Sequence, residues 1–219
     1  MSFQKARVVS DHRDAATRLA WLQEKWPAIV GAAKRRGGLL LCEDEASFAP
    51  WGSLSDTWSR RGPQPEVPTS GKRKGSKVLG ASEYFSGRLF YRGLEGRFNA
   101  EHYQAFLQQL MAQTPPHLFL SHDGARSHTS ASTQALLTAH SARITAEPLP
   151  SYSPDDHPIA YLWKKTKQRA THNKYFKEFA ELTVSVEKAL AYFATHSETL
   201  LGLFGRYCED SGLELTQAA

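Results

Sequence analysis

Residues Leu39-Leu40-Leu41-Cys42-Glu43-Asp44-Glu45 form a short apolar run that is followed directly by three acids. An apolar run of this length predicts a buried strand, so we expect the acids at the end of that strand. A second run, His117-Leu118-Phe119-Leu120, predicts another buried strand that ends at Asp123. Since ligands of open α/β sheets bind at the carboxyl ends of strands, Asp44 and Asp123 are candidate site residues.

The rest of the pattern predicts an α/β fold, one mixed sheet flanked by helices. Residues 14–36 show helical periodicity, which Pro27 is expected to kink or split. Extended segments on either side of Ser86-Gly87 predict a hairpin. From Asn99 onwards helical and extended segments alternate, and the chain ends in helices.

Residues 48–61 mix aromatic side chains with turn formers and predict irregular strands. The side chains of Trp51 and Trp58 are consistent with either a core or a base-stacking role, and we favour the core. Trp163, in the helix predicted to begin near Pro158, is also interpreted as a core residue.

The composition is that of an ordinary soluble globular protein, with 219 residues, 41% hydrophobic and 22% charged residues. No apolar run approaches the roughly 20 residues of a membrane helix, and the first residues lack a signal-peptide pattern. Cys42 and Cys208 are too few for a disulfide framework or a zinc site, so a cytoplasmic location is expected. The net charge of +5 permits a polyanionic partner without establishing one.

Two carboxylates brought together at strand ends repel each other unless a cation lies between them. Carboxylate oxygens suit Mg²⁺, which in turn implies phosphodiester cleavage or transfer. The alternative is that Asp44 is one exposed acid and that Asp123 begins a turn with Gly124. In the same way, His128 is more often a surface or capping histidine than a catalytic one. From spacing alone we favour these structural alternatives.

A wider set of motifs favours the metal site over these structural alternatives, because it closely resembles the mariner-like bacterial insertion-sequence transposases. The first matching segment is the family signature, which here runs from Leu149 to Lys167. Two more segments resemble those around the family's first and second catalytic aspartates, and two are typical of one subgroup. The segments are Leu149-Pro150-Ser151-Tyr152-Ser153-Pro154 continuing through Pro158-Ile159 to Leu162-Trp163-Lys164-Lys165 and Lys167, Asp44-Glu45 with Phe48, Asp123-Gly124-Ala125-Arg126 with His128, Ser70-Gly71-Lys72-Arg73-Lys74-Gly75 and Thr171-His172-Asn173-Lys174-Tyr175-Phe176.

The resemblance implies a ribonuclease-H-like DDE domain over residues 38–210, with a helical lead-in at 1–37 and a tail at 211–219. It implies strand cleavage and transfer in DNA transposition and integration, with Asp44 and Asp123 as catalytic and metal-binding acids of a two-metal site for Mg²⁺ or Mn²⁺. The expected partners are double-stranded DNA, as element ends and target, and a second copy in a homodimer. The expected location is the bacterial cytoplasm, at the nucleoid, and no membrane is involved.

The sequence departs from the family pattern at the third acid, a Glu that follows Asn-Pro-Ile in relatives. Here the stretch is His157-Pro158-Ile159-Ala160, so Ala160 occupies the third-acid position and offers no oxygen to a cation. We therefore expect a weakened metal site and severely reduced or absent catalysis. Natural decay and a deliberate acid-to-alanine change both fit Ala160. His157 is expected to be the N-cap of the following helix, a position where His is not favoured.

A second departure concerns the family's N-terminal helix-turn-helix modules. The chain starts at Met1 almost directly before the catalytic domain, so we expect specific recognition of element ends to be missing.

Basic residues supply candidate contacts to DNA phosphates, although a solvated surface is the alternative for any single lysine. The candidates are Lys72, Arg73, Lys74 and Lys77 in and after a proline-rich loop, and Lys164 and Lys167 beyond Ala160. Three hypotheses follow. They are an impaired transposase catalytic domain, an inactive DNA-binding or dimerising remnant and, less favoured, a stand-alone nuclease of ribonuclease-H type.

Overall fold

The computed structural model describes residues 14–62, 64–69, 71, 73–114, 116–151 and 157–211. Within them lies one mixed sheet of five strands in the order β3-β2-β1-β4-β5. β1 pairs antiparallel with β2 and parallel with β4, so the pairing changes direction at β1. The strands are β1 (Leu39–Phe48), β2 (Ser76–Glu83), β3 (Leu89–Leu94), β4 (Leu118–His122) and β5 (Ile144–Pro148).

Helices cover both faces of this sheet, which confirms the predicted α/β class. The first helical stretch is split as expected, by a π-helical turn over Trp21–Lys25 directly before Pro27. A π turn accommodates a proline because it widens the helix where an i−4 hydrogen bond is missing. None of the described helices is long and apolar enough to cross a membrane. The helices are α1 (Ala15–Ala20), α2 (Trp26–Arg35), α3 (Ala100–Gln113), α4 (Arg126–Thr129), α5 (Ala131–Ala139), α6 (Ile159–Ala170), α7 (Phe179–Thr195) and α8 (Ser197–Ser211).

Alternation along β1 separates two hydrophobic cores, because successive side chains point to opposite faces. Leu40 and Cys42 face α2 and α6–α8, whereas Leu41 faces α3 and its apolar stripe. The same alternation continues through the acids. Asp44 therefore lies on the α6 face of the sheet, and Glu43 and Glu45 lie on the α3–α4 face.

The predicted end of the first strand is wrong, because β1 continues through the acids to Phe48. The reason is its antiparallel partner, since β2 pairs with β1 continuously from Leu41↔Glu83 to Phe48↔Ser76. The irregular strands predicted for 48–61 are also wrong: after Phe48 this stretch makes only an isolated bridge at Ser53.

The preference for a core position of two tryptophans in this stretch is wrong as well. Trp51 is 44% and Trp58 103% exposed. Trp163, by contrast, belongs to the core as expected, at 5% exposure.

Candidate active site

Asp44 lies in β1, and Asp123 directly follows β4, the strand that pairs in parallel with β1. The parallel register of β1 and β4 ends at Cys42↔Ser121, and each acid follows two residues beyond that pair. Both acids therefore follow the parallel part of the sheet at the same edge, where β1 and β4 lie side by side. The two acids also interact electrostatically, because the negative charge of Asp123 contributes to the raised pKa of Asp44.

Asp44 lines a pocket of about 480 Å³ between β1 and α6. Ala160, Trp163, Lys164 and Lys167 contribute to the same pocket, together with β1 residues up to Ser47. Burial raises the pKa of Asp44 to about 6, against the opposing effects of hydrogen bonds from the backbone N–H of Glu45 and from Trp163. The predicted third-acid position and two predicted phosphate contacts thus share one pocket with the first acid.

Hydrogen bonds from the α4 region hold the side chain of Asp123. Its Oδ1 accepts a hydrogen bond from the backbone N–H of Ala125 at 2.9 Å and lies 2.8 Å from Nδ1 of His128. The hydrogen bond from His128 is the main reason why the pKa of Asp123 is lowered. The carboxylate of Asp123 is therefore held in its ionised form.

His128 is buried in α4 rather than exposed, so the preferred surface or capping interpretation is wrong. Its Nε2 lies 3.5 Å from Oε2 of Glu43 and 3.8 Å from Oε1 of Glu45. Burial alone would lower the pKa of His128, but the hydrogen bond to Asp123 and the charge of Glu43 raise it to about 9. His128 therefore carries a positive charge among three carboxyl groups.

Of the three acids around His128, Glu43 is the most deeply buried. The side chain is fully buried, and neither carboxyl oxygen has a hydrogen-bond partner among the described residues. Burial raises its pKa well above the usual range, against the opposing effect of His128. Sequence reasoning did not single out Glu43, although its place beside Asp44 in a buried strand is a usable signal.

His157 does not act as the N-cap of α6, contrary to the prediction. Pro158 occupies that position without a side-chain cap, and α6 begins at Ile159. The His157 ring is buried and hydrogen-bonded to the backbone of Ser121, and burial lowers its pKa to about 3. A neutral histidine thus anchors the start of α6 beside β4, which places Ala160 at the pocket.

Three other predicted DNA contacts, Arg73, Lys74 and Lys77, lie outside the lining of this pocket. Lys74 Nζ lies 4.2 Å from the ring centroid of Phe179, and Lys77 Nζ lies 5.0 Å from that of Phe98. Arg73 is exposed, and Lys72 lies outside the described residues. Among the predicted basic residues that the structure describes, Lys164 and Lys167 share the pocket with Asp44.

The described residues contain no group of three or more His, Cys, Asp or Glu side chains that could hold a metal ion. Two carboxylates with hard oxygen donors nevertheless fit a divalent cation that completes its shell with water and phosphate. The raised pKa of Asp44 beside the charge of Asp123 fits the same idea, because a cation would relieve that repulsion.

Comparisons with known proteins point to one family. The sequence profile described as DDE superfamily endonuclease matches residues 39–183. No curated protein matches the sequence significantly.

Solved structures of similar fold include three of Mos1. A Mos1 mariner paired-end complex with Mn has a TM-score of 0.66 at 16% identity, covering 97% of this chain and 67% of that one. A paired-end complex with the left transposon end has a TM-score of 0.60 at 18% identity, covering 94% and 68%. The Mos1 catalytic domain with raltegravir and Mg has a TM-score of 0.56 at 15% identity, covering 93% and 99%. At these identities the likeness concerns the fold.

Proposed function

Because this chain belongs to the DDE superfamily endonuclease family, we propose that it is a transposase catalytic domain whose strand cleavage and transfer are impaired. Its substrate would be double-stranded DNA, at element ends and at the target. We also propose a bacterial insertion sequence as its source, a homodimer as its working form and the nucleoid as its location.

The observation that carries the proposal is the position of Asp44 and Asp123 at the same edge of two neighbouring strands at the centre of the sheet. Each acid follows two residues after the last parallel pair of β1 and β4, and a pocket with two lysines adjoins Asp44, which supports the proposal. Carboxylates that bind a cation beside lysines that bind phosphates are what phosphodiester chemistry requires.

Asp44 and Asp123 would hold Mg²⁺ or Mn²⁺, and structures of Mos1 with Mn and with Mg support that choice. Such an ion, when bound, polarises a phosphoryl oxygen and lowers the pKa of bound water. The chain's own contribution is to keep Asp44 desolvated, to keep Asp123 ionised through His128, and to bind phosphates with Lys164 and Lys167.

Ala160 is the reason to expect impaired catalysis. It lies in the same pocket as Asp44, where a longer acidic side chain could share a cation with that carboxylate. The methyl group of alanine offers no oxygen, so the proposed site retains two protein carboxylates. Because removal of even an outer-shell partner costs about 10–100-fold in metal affinity or activity, the loss of a direct ligand should cost at least as much.

The same residue favours one alternative, a catalytically inactive remnant that binds DNA or dimerises. On that hypothesis the lysines retain phosphate contacts while the acids no longer support cleavage. An impaired transposase should regain DNA cleavage when an acid is restored at position 160, whereas an inactive remnant should not.

The test compares the full chain with its Ala160→Glu variant on a nicked duplex oligonucleotide in Mg²⁺ or Mn²⁺. We expect Ala160→Glu to cleave at least about 10–100-fold faster than the chain itself, because a third carboxylate completes the metal site. Ala160→Gln is the matched control, since it adds the same volume without the charge. Asp123→Asn in the Ala160→Glu background should abolish the gain.

Equal cleavage by the chain and by Ala160→Glu would show that a third acid is not required. An inactive Ala160→Glu variant, together with salt-dependent DNA binding by the chain, would favour the remnant.

A further inference from the structure

Trp163 makes a direct contact with the first acid. It lies on α6, one turn beyond Ala160, and its indole Nε1–H donates to Oδ2 of Asp44 at 3.1 Å. The side chain is only 5% exposed and borders the pocket that Asp44 lines. One oxygen of the Asp44 carboxylate is thus bound by a rigid donor whose own position is set by the core.

The position of the indole depends on a glycine in the neighbouring strand. Gly80 pairs with Asp44 across β1 and β2, so any side chain at 80 would stand on the same face as Asp44. A Cβ atom at Gly80 would lie 2.5 Å from Cη2 and 2.8 Å from Cζ2 of Trp163, closer than non-bonded carbons approach. The ring therefore occupies the space that a side chain at position 80 would take.

A second buried tryptophan shows that this contact is more than a consequence of burial. Trp21 is 7% exposed, and its Nε1 has no hydrogen-bond partner among the described residues. Burial of an indole in this fold thus does not by itself bring the N–H to an acceptor. For Trp163, the N–H points at a predicted metal-binding acid.

We propose that Trp163 is a positioning residue that fixes the Asp44 carboxylate for cation binding, and that Gly80 is required to admit its ring. The inference rests on the proposed function, since it assigns Asp44 to a cation. The indole at Oδ2, together with the backbone N–H of Glu45, would hold the carboxylate of Asp44 in one orientation for a cation. This orientation matters more here than in a site with three acids, because Asp44 is one of two carboxylates.

The first measurement is the affinity of the full chain for Mn²⁺, with free Mn²⁺ determined from its electron paramagnetic resonance signal. Trp163→Phe keeps an aromatic ring and removes the donor, so we expect affinity to fall about 10-fold, as for other outer-shell partners of metal ligands. Trp21→Phe is the matched control and should bind like the parent chain.

Gly80→Ala tests the same inference with the indole still present. The added methyl group displaces the ring from Asp44, so affinity should fall in the same direction as in Trp163→Phe. Gly93→Ala, in β3 with open space around its position, is the matched control and should leave affinity unchanged.

A second measurement needs no metal. The indole N–H resonance of Trp163, identified by its loss in Trp163→Phe, should shift in a proton–nitrogen correlation spectrum when Asp44 is changed to Asn. Asp56→Asn, at an exposed loop position, should leave that resonance unchanged. An unchanged resonance in Asp44→Asn would overturn the inference.

The outcomes separate the inference from the function on which it rests. If Asp44→Asn binds Mn²⁺ as well as the parent, or if neither the chain nor Ala160→Glu binds it, the proposed metal site is wrong and the inference falls with it. If Asp44→Asn loses binding while Trp163→Phe and Gly80→Ala retain it, the positioning role is wrong and the proposed function stands.

Discussion

Replacement of His128 by Asn should destabilise the fold in a strongly pH-dependent way. His128 carries its charge between Asp123 on one side and Glu43 and Glu45 on the other. Its pKa rises from 6.5 to about 9 in the folded chain. A difference of this size, at about 1.4 kcal/mol per pKa unit, corresponds to stabilisation on the order of 3 kcal/mol.

The direction with pH follows from the sign of that shift. Because the folded pKa of His128 lies above the unfolded value, its stabilisation is complete below pH 6.5 and is lost as pH rises through about 9. The raised pKa of Asp44, about 6, also makes stability pH-dependent. That effect is present in the chain and in the variant, so it cancels in their difference, whereas the pKa shifts of Glu43 and Asp123 depend on His128 and do not cancel.

Urea unfolding of the chain and of His128→Asn measures this difference at about pH 6 and again near pH 10. We expect the two free energies of unfolding to differ more at the lower pH, by up to about 3 kcal/mol, because protonation of Glu43 in the variant offsets part of the loss. His140→Asn is the matched control, because that histidine is exposed and hydrogen-bonded to the carbonyl of Leu136. A His128→Asn difference that is the same at both pH values would refute a charged His128 in the folded state.

Two further predictions concern DNA binding and the core. Lys164→Ala and Lys167→Ala should each weaken binding to arbitrary duplex DNA and reduce the slope of log affinity against log salt by about 1, since each removes one phosphate contact. Lys188→Ala on α7 should change neither the affinity nor the slope. An unchanged slope in both Lys164→Ala and Lys167→Ala would contradict phosphate binding in the pocket. Phe106→Ala, fully buried in α3, should lower the free energy of unfolding by about 3–5 kcal/mol in urea titrations. Leu54→Ala, at a 78% exposed position, should change it by less than about 0.5 kcal/mol, and an equal loss in both would contradict the assigned core.

The strands could be predicted where the signal was local. The run before Asp123 predicted β4, and the pair of extended segments around Gly87 predicted the β2–β3 hairpin. The end of β1 could not be predicted in this way, because the chain stays extended through Asp44 only by pairing with β2. The exposure of Trp58 was missed for a related reason, since a large apolar side chain is buried only if another element covers it.

The side chains that contact Asp44 and Asp123 were harder to predict from the sequence than the two acids themselves. The motifs indicated Asp44 and Asp123, and their roles as metal-binding acids remain a prediction. The spacing of His128 after Asp123 is equally consistent with an exposed and a buried histidine. The contact between Trp163 and Asp44 depends on α6 packing over β1 and on Gly80 in the neighbouring strand, which lies outside every motif of the sequence.

The sequence by itself determined the α/β class and the absence of a carboxylate at position 160, because both follow from residue type and local periodicity. Only the tertiary structure decided which face of β1 carries Asp44 and which groups hold each acid. Those depend on strand register and helix packing, which join residues far apart in the chain. His128 beside Asp123 and Trp163 beside Asp44 are therefore properties of the folded molecule, whereas the missing third acid is a property of the chain.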